Sequence, residues 1–239
     1  MNRVLILQFM DNDAPAYLGT WLDRHGVASE VRLATSSAGF PDRMDGYAAL
    51  ALLGGEMSVN DDLPFLRTAE RLIGQAMERD LPVLGHCLGA QLMARTLGAR
   101  VGAAPAPEVG WHRMDRLDST ASEQWFGPAM SHEVFHWHYE AFDLPSGAAP
   151  LGSSTNCAHQ AFAIGRHLAL QFHVEVDEAK VDQWLTQADA QYQLAQQRHT
   201  TAHRAERIRL DTRRCLAPQQ RLADRIYQRW SASANLVPQ

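Results

Sequence analysis

Two rhythms of apolar and polar positions alternate along the first hundred residues. Residues 4–9 (VLILQF) form a compact apolar run, which predicts a strand buried on both faces. A helix is expected next, starting near Asp13 and Pro15, with Leu18, Trp21 and Leu22 at helical spacing and Gly26 as its stop. Residues 27–34 and 47–53 predict two more strands, the second ending abruptly at Gly54-Gly55. Phe65, Leu66, Ala69, Leu72, Ile73, Ala76 and Met77 repeat at helical spacing and mark an amphipathic helix. Residues 82–85 read as a short strand, after which Cys87 opens a helix running to about Leu97. Such regular alternation argues for an α/β fold with a mainly parallel central sheet flanked by helices.

The rhythm changes after residue 101. Short strand-like pieces dominate at 108–117, 134–142, 161–165 and 167–172, with turn residues such as Pro145, Ser146 and Gly147 between them. From Asp177 onward the pattern is helical. Leu222, Ile226 and Trp230 fall four apart on one apolar face. Nine arginines lie between Arg198 and Arg229, and they read as a solvated helical face. The expected organisation is one domain over residues 1–180 and a helical extension over 181–239 that packs on it. The extension is alternatively a cover for the mouth of a site, or a contact in a homodimer.

Composition narrows the function classes. With 46% hydrophobic and 21% charged residues the chain is an ordinary globular one. A net charge of −5 gives no reason to expect nucleic acid or an anionic membrane as partner. No apolar run approaches the roughly 20 residues of a membrane helix. The first 13 residues meet two aspartates and lack a small-residue cleavage site, so a cytoplasmic protein is expected. Three cysteines, widely spaced and without CxxC, make neither a disulfide scaffold nor a structural zinc site.

One of the three cysteines stands in a special setting. In Val-Leu-Gly85-His86-Cys87-Leu88-Gly89-Ala90-Gln91 a strand runs into a Gly-x-Cys-x-Gly turn and then a helix. Glycines on both sides relieve crowding at a sharp turn, as in a nucleophile elbow. The helix N-terminus supplies partial positive charge that favours a thiolate. Most free cysteines are small buried hydrophobes, but these flanks make Cys87 the candidate nucleophile. A thiol nucleophile needs a base and an orienter. His173 and Glu175, two apart after the apolar stretch 167–172, offer both. His136 and His138 invite a metal reading, but no carboxylate joins them at ligand spacing, so no metal is expected. No phosphate-cradling GxxxxGK[ST] occurs, and no cofactor is expected.

At these residues the chain resembles the class I glutamine amidotransferase family, and most of all stand-alone proteins related to the amidotransferase domain of GMP synthase. The pieces are Gly54-Gly55-Glu-Met-Ser-Val, Gly85-His-Cys87-Leu-Gly-Ala-Gln91, Trp137-His138 and Gln171-Phe-His173-x-Glu175, in the family's order over about the first 180 residues. The resemblance implies an α/β sheet sandwiched by helices, and hydrolysis of the glutamine side-chain amide. It implies Cys87 as nucleophile, forming a γ-glutamyl thioester, His173 as acid and base, and Glu175 as orienter. It also implies an oxyanion hole from the Gly55 and Leu88 amides. Gln91 and His138 would help to hold the substrate. Val174 replaces the family's common proline between the histidine and the glutamate. Tyr139 and Glu140 follow Trp137-His138 where GMP synthase domains have a small residue and aspartate.

Three functions follow. One is a glutaminase or amidotransferase that hands ammonia to a separate synthetase. Another is a γ-glutamyl peptidase with the same triad, acting on a γ-glutamyl compound. The third is a non-catalytic regulatory protein that keeps the fold, which a complete Cys-His-Glu set disfavours. An α/β-hydrolase is disfavoured because there the acid precedes the histidine.

Overall fold

The structure, a computed structural model, describes residues 3–237. Among them nine strands join in one sheet in the order β2-β1-β3-β4-β9-β8-β7-β5-β6. The first half is parallel: β2 (Ser29–Leu33), β1 (Val4–Gln8), β3 (Ala49–Leu52), β4 (Val83–His86) and β9 (His167–Leu170). The second half is an antiparallel wing of β8 (Ala161–Ile164), β7 (Ala149–Ser153), β5 (Val101–Arg116) and β6 (Ser131–Phe142). Seven helices complete the described chain: α1 (Tyr17–Arg24), α2 (Pro64–Glu78), α3 (Leu88–Thr96), α4 (Thr120–Phe126), α5 (Glu178–Thr186), α6 (Ala190–Arg198) and α7 (Ala205–Ser233).

The period-two pleat explains why the central strands are apolar throughout. Val4, Ile6, Ala49, Ala51, Leu168 and Leu170 face one core, which they share with α1 and the second half of α7. Leu5, Leu7, Leu50, Leu52, Val83 and Ala169 face the opposite core, which they share with α2 and α3. The expected three-layer α/β arrangement is therefore present. Edge strand β2 is polar and partly exposed, as a strand with only one neighbour allows.

Several local expectations need correction. Helix α1 starts at Tyr17, not at Asp13, because Asp13 is buried in an ion pair with Lys180 instead of capping. Strand β5 begins at Val101 rather than at 108, with an irregularity in its pairing between Ala103 and Glu108. Strand β7 and helix α4 were not expected. The first is a short proline- and glycine-containing piece (APLGS), and the second is a seven-residue helix capped by Ser119. Strand β9 ends at Leu170, so His173 and Glu175 lie on the segment after it.

Leu222, Ile226 and Trp230 are buried against the sheet, and all nine arginines of the tail are exposed. Polar groups also tie α7 to the sheet. The Gln219 amide oxygen accepts from the Phe135 N–H at 2.7 Å, and the Trp111 indole donates to Thr212 at 2.9 Å. Pro218 sits inside this helix at an exposed position, where it removes one backbone hydrogen bond of the helix. Among the described residues no helix is long and apolar enough to cross a membrane.

Candidate active site

The elbow has a steric cause that can be read atom by atom. Cys87 adopts φ 48° at the boundary of β4 and α3, a left-handed conformation that costs a non-glycine residue energy. A Cβ on Gly85 would lie 2.6 Å from the Gly89 carbonyl carbon, and one on Gly89 would lie 2.6 Å from the Leu52 Cβ. Both glycines are needed for α3 to pack this close to β3 and β4. The Cys87 N–H is tied to the Leu170 carbonyl at 2.8 Å, which binds the elbow to β9.

His173 and Glu175 reach the same point from the other side. The Nδ1–H of His173 donates to the Glu175 carboxylate at 2.6 Å. A carboxylate only accepts, so this bond sets the tautomer and leaves the second ring nitrogen for Cys87, with which the ring interacts. Burial by itself would depress the His173 pKa, but the charges of Glu175 and of the Cys87 sulfur outweigh it and raise it to about 10. Burial pushes Glu175 the opposite way, yet His173, His86 and Lys180 hold its carboxyl well below the usual range. Lys180 is itself buried. It lies 2.5 Å from Asp13 and 3.6 Å from Glu175, and it donates to the Ala14 carbonyl. The dyad is thus one end of a buried row of alternating charges.

A cavity of about 270 Å³ opens beside Cys87, and Gly55, Gln91, His138, Glu140 and His173 help to line it. That is slightly smaller than the roughly 300 to 1,000 Å³ of sites for drug-sized ligands, and it suits an amino-acid-sized one. Leu88 lies against Gly55: a Cβ there would meet the Leu88 Cδ2 at 2.7 Å. The two amides proposed for an oxyanion hole therefore belong to neighbouring residues. Gln91 donates to the Glu140 carbonyl at 3.1 Å and to the Gln171 side-chain oxygen at 3.3 Å. Gln171 in turn directs its amide at the Cys87 sulfur, 3.7 Å away.

This arrangement fits the sequence comparison. The family model described as Glutamine amidotransferase class-I matches residues 20–189. The chain belongs to the class-I glutamine amidotransferase family. It is 28% identical over 183 residues to the glutamine amidotransferase-like protein YfeJ of Salmonella typhimurium, covering 70% of this chain and 74% of YfeJ. It is 32% identical over 142 residues to one subunit of the glutamine-hydrolysing GMP synthase of Thermoplasma acidophilum, covering 57% and 68%. Of the GMP synthase of Aeropyrum pernix, 30% identical over 168 residues, it spans 31% of the length. The crystal structure of a glutamine amidotransferase from Methylobacillus flagellatus superposes with a TM-score of 0.92, at 32% identity and over 97% and 94% of the two chains.

In this member of the family the sequence reading missed several residues of the cleft. Trp184 of α5 stands edge-on to the His173 ring at 4.9 Å, and Trp137 packs against Trp184 at 5.9 Å. Gln187 and Asp189 extend the wall, so the helices after residue 180 help to form the mouth. Glu140 is anchored by the Ser58 hydroxyl, which reaches its two oxygens at 3.1 and 2.9 Å. Glu108 also approaches His138 and His136, a carboxylate neighbour that their sequence spacing does not disclose. Glu108 and His138 are opposed by register between β5 and β6. Only the long-range partners of these side chains reveal them, and no local motif marks them.

Proposed function

We propose that the chain hydrolyses the side-chain amide of glutamine through a γ-glutamyl thioester on Cys87. The observation that carries this reading is His173 set between Glu175 and Cys87 at the edge of one small cavity. With His173 raised to about 10, the ring is an imidazolium at neutral pH, and the Cys87 sulfur beside it serves as the nucleophile. The thiolate attacks the amide carbon. The Gly55 and Leu88 amides take the charge that develops on the oxygen. The imidazolium gives its proton to the leaving nitrogen, ammonia departs, and the thioester remains. Neutral His173 then takes a proton from water, the hydroxide attacks the thioester, and glutamate leaves as the thiolate returns. Glu175 holds the ring in one tautomer throughout. Gln91, in the cavity lining, helps to hold the substrate and steadies Gln171. Glu140, fixed by Ser58, presents a carboxylate to the substrate's ammonium end, while His138 lines the same wall.

We further propose that residues 1–180 form the amidotransferase domain and that 181–239 pack on it and wall the mouth. The likeness to a GMP synthase subunit supports a separate synthetase as ammonia acceptor. The test is release of glutamate and ammonia from L-glutamine by the purified chain, with Cys87→Ala as control. Turnover lost in the variant upholds the reading. No turnover of glutamine, together with cleavage of γ-glutamyl peptides by the same thiol, would replace it with the peptidase reading. Silence on both, without labelling of Cys87 by a glutamine-like electrophile, favours the regulatory one.

A further inference from the structure

Behind the wall of the cleft lies a second cluster that takes no part in the proposed proton transfers, although His138 also reaches the cleft lining. Glu108 on β5 stands opposite His138 on β6, and His136 is two residues along the same strand, hence on the same face. All three side chains are buried. The Glu108 Oε2 lies 3.2 Å from the His138 Nε2 and 3.9 Å from the His136 Nδ1. One ligand atom from each residue falls within 4.8 Å of the other two. Bonds of about 2.0–2.1 Å to a tetrahedral ion place neighbouring ligand atoms about 3.3–3.4 Å apart; the Glu108–His138 separation matches this, and His136 would move inward by a few tenths of an ångström or more to join them.

Hydrogen bonding within the chain does not account for the arrangement. Among the described residues neither ring nitrogen of His136 has a hydrogen-bond partner, and the Nε2 of His138 meets Glu108 without the alignment of a hydrogen bond. The Nδ1 of His138 is spoken for: it faces the Glu140 carbonyl at 3.2 Å, and a carbonyl can only accept, so this nitrogen carries the proton. With Nδ1 engaged there, Nε2 is the ring atom left facing the carboxylate oxygen. A buried carboxylate beside ring nitrogens that lack aligned hydrogen bonds is a setting that favours a shared cation. Glu108 has the outer support typical of a ligand. Ser154 donates to its Oε1 at 2.7 Å and Gln160 to its Oε2 at 2.6 Å. The nearby Cys157 turns its thiol to the His159 carbonyl, so the donor set is two nitrogens and one oxygen.

We propose that Glu108, His136 and His138 bind one zinc ion, with a water completing a tetrahedron. Imidazole donors disfavour magnesium and calcium, and a compact three-ligand pocket with one open position suits zinc. The ion clamps β5 to β6 and steadies the Trp137 carbonyl, which lies 3.7 Å from the Cys87 sulfur.

The inference stands apart from the glutaminase reading, and its test reads metal rather than turnover. Untagged protein is incubated with zinc chloride, desalted and analysed by mass spectrometry for zinc per chain. About one zinc is expected in the natural chain and in Cys87→Ala, and less than one-tenth of that in Glu108→Gln and His136→Gln whose near-ultraviolet circular dichroism shows them folded. Cobalt(II) in place of zinc should give tetrahedral d–d absorption without a thiolate charge-transfer band. Less than one-tenth of a zinc in the natural chain would overturn the proposal whether or not the variants fold. So would zinc that disappears in Cys87→Ala, since that places the ion on the thiol.

Discussion

Two buried histidine–glutamate pairs flank the same cleft, one on the segment after β9 and one across β5 and β6. In His173–Glu175 the carboxylate accepts an aligned bond from Nδ1 at 2.6 Å, and the free nitrogen is turned to a thiol. In His138–Glu108 a backbone carbonyl holds Nδ1, and the carboxylate meets Nε2 off-line at 3.2 Å. The first ring is surrounded by negative partners and is raised to about 10. Beside the second pair, burial lowers His136 well below the ordinary value. On the readings proposed above, the same two residue types serve proton transfer in one place and ligation in the other. Which ring nitrogen is occupied, and by what, decides between them.

The sharpest way to break the comparison is to remove the group that only the first pair serves. Cys87→Ala should lower glutaminase turnover by at least about 10⁴-fold, because members of a catalytic set act as a unit. Ammonia release measures it. Turnover within 10-fold of the natural chain would detach the His173–Glu175 pair from catalysis altogether.

Glu175→Gln tests the charge rather than the thiol. The amide keeps the shape but can no longer stabilise the imidazolium, and kcat should fall about 10²- to 10⁴-fold. Stability against pH gives a second readout. His173 is raised from 6.5 to about 10, so its contribution is complete below pH 6.5 and is lost as pH climbs through 10. Glu175 is lowered from 4.5, so its contribution is complete above pH 4.5 and is lost as pH falls. Denaturant midpoints of the natural chain should therefore be highest between these limits and decline on both sides. In Glu175→Gln the alkaline decline should be much reduced; an unchanged pH curve would deny that the pair is charged.

Lys180→Met probes what sequence could not disclose. The buried ammonium neutralises Asp13 and supports Glu175, and its removal leaves buried carboxylates facing each other. Loss of one partner from such a set costs about 3–5 kcal/mol, readable by urea unfolding. A cost below 1 kcal/mol would show that the row of charges is not coupled. The contrast with Cys87 explains what was legible. The elbow is a local pattern, with two glycines beside a strand and a helix, and steric rules alone identify it. His173 and Glu175 are likewise two apart. Asp13 and Lys180, or Glu108 and His138, meet only through strand register and helix docking, and no spacing along the chain records that. The inner strands of the sheet's parallel half were legible for the same reason, since they are short apolar runs. Strand β7, five residues with a proline and a glycine, carries no alternation to read.

Ser58→Ala should have the smallest effect and distinguishes the two walls of the cleft. It removes the hydroxyl that reaches both oxygens of Glu140 but leaves His173, Glu175 and Cys87 untouched. If Glu140 reads the substrate's ammonium, loosening it weakens ground state and transition state alike. The loss of one hydrogen bond to a charged group, about 1.5–3 kcal/mol at most, should then raise KM by up to roughly 10- to 100-fold while kcat holds. If the carboxylate only braces β6 against the loop carrying Ser58, KM should stay within about 2-fold and the midpoint of thermal unfolding should fall instead. A fall in kcat at constant KM would fit neither role. It would mean that the wall bearing Trp137 and His138 transmits its position to Cys87, and that the two histidine–glutamate pairs are coupled through the strand between them.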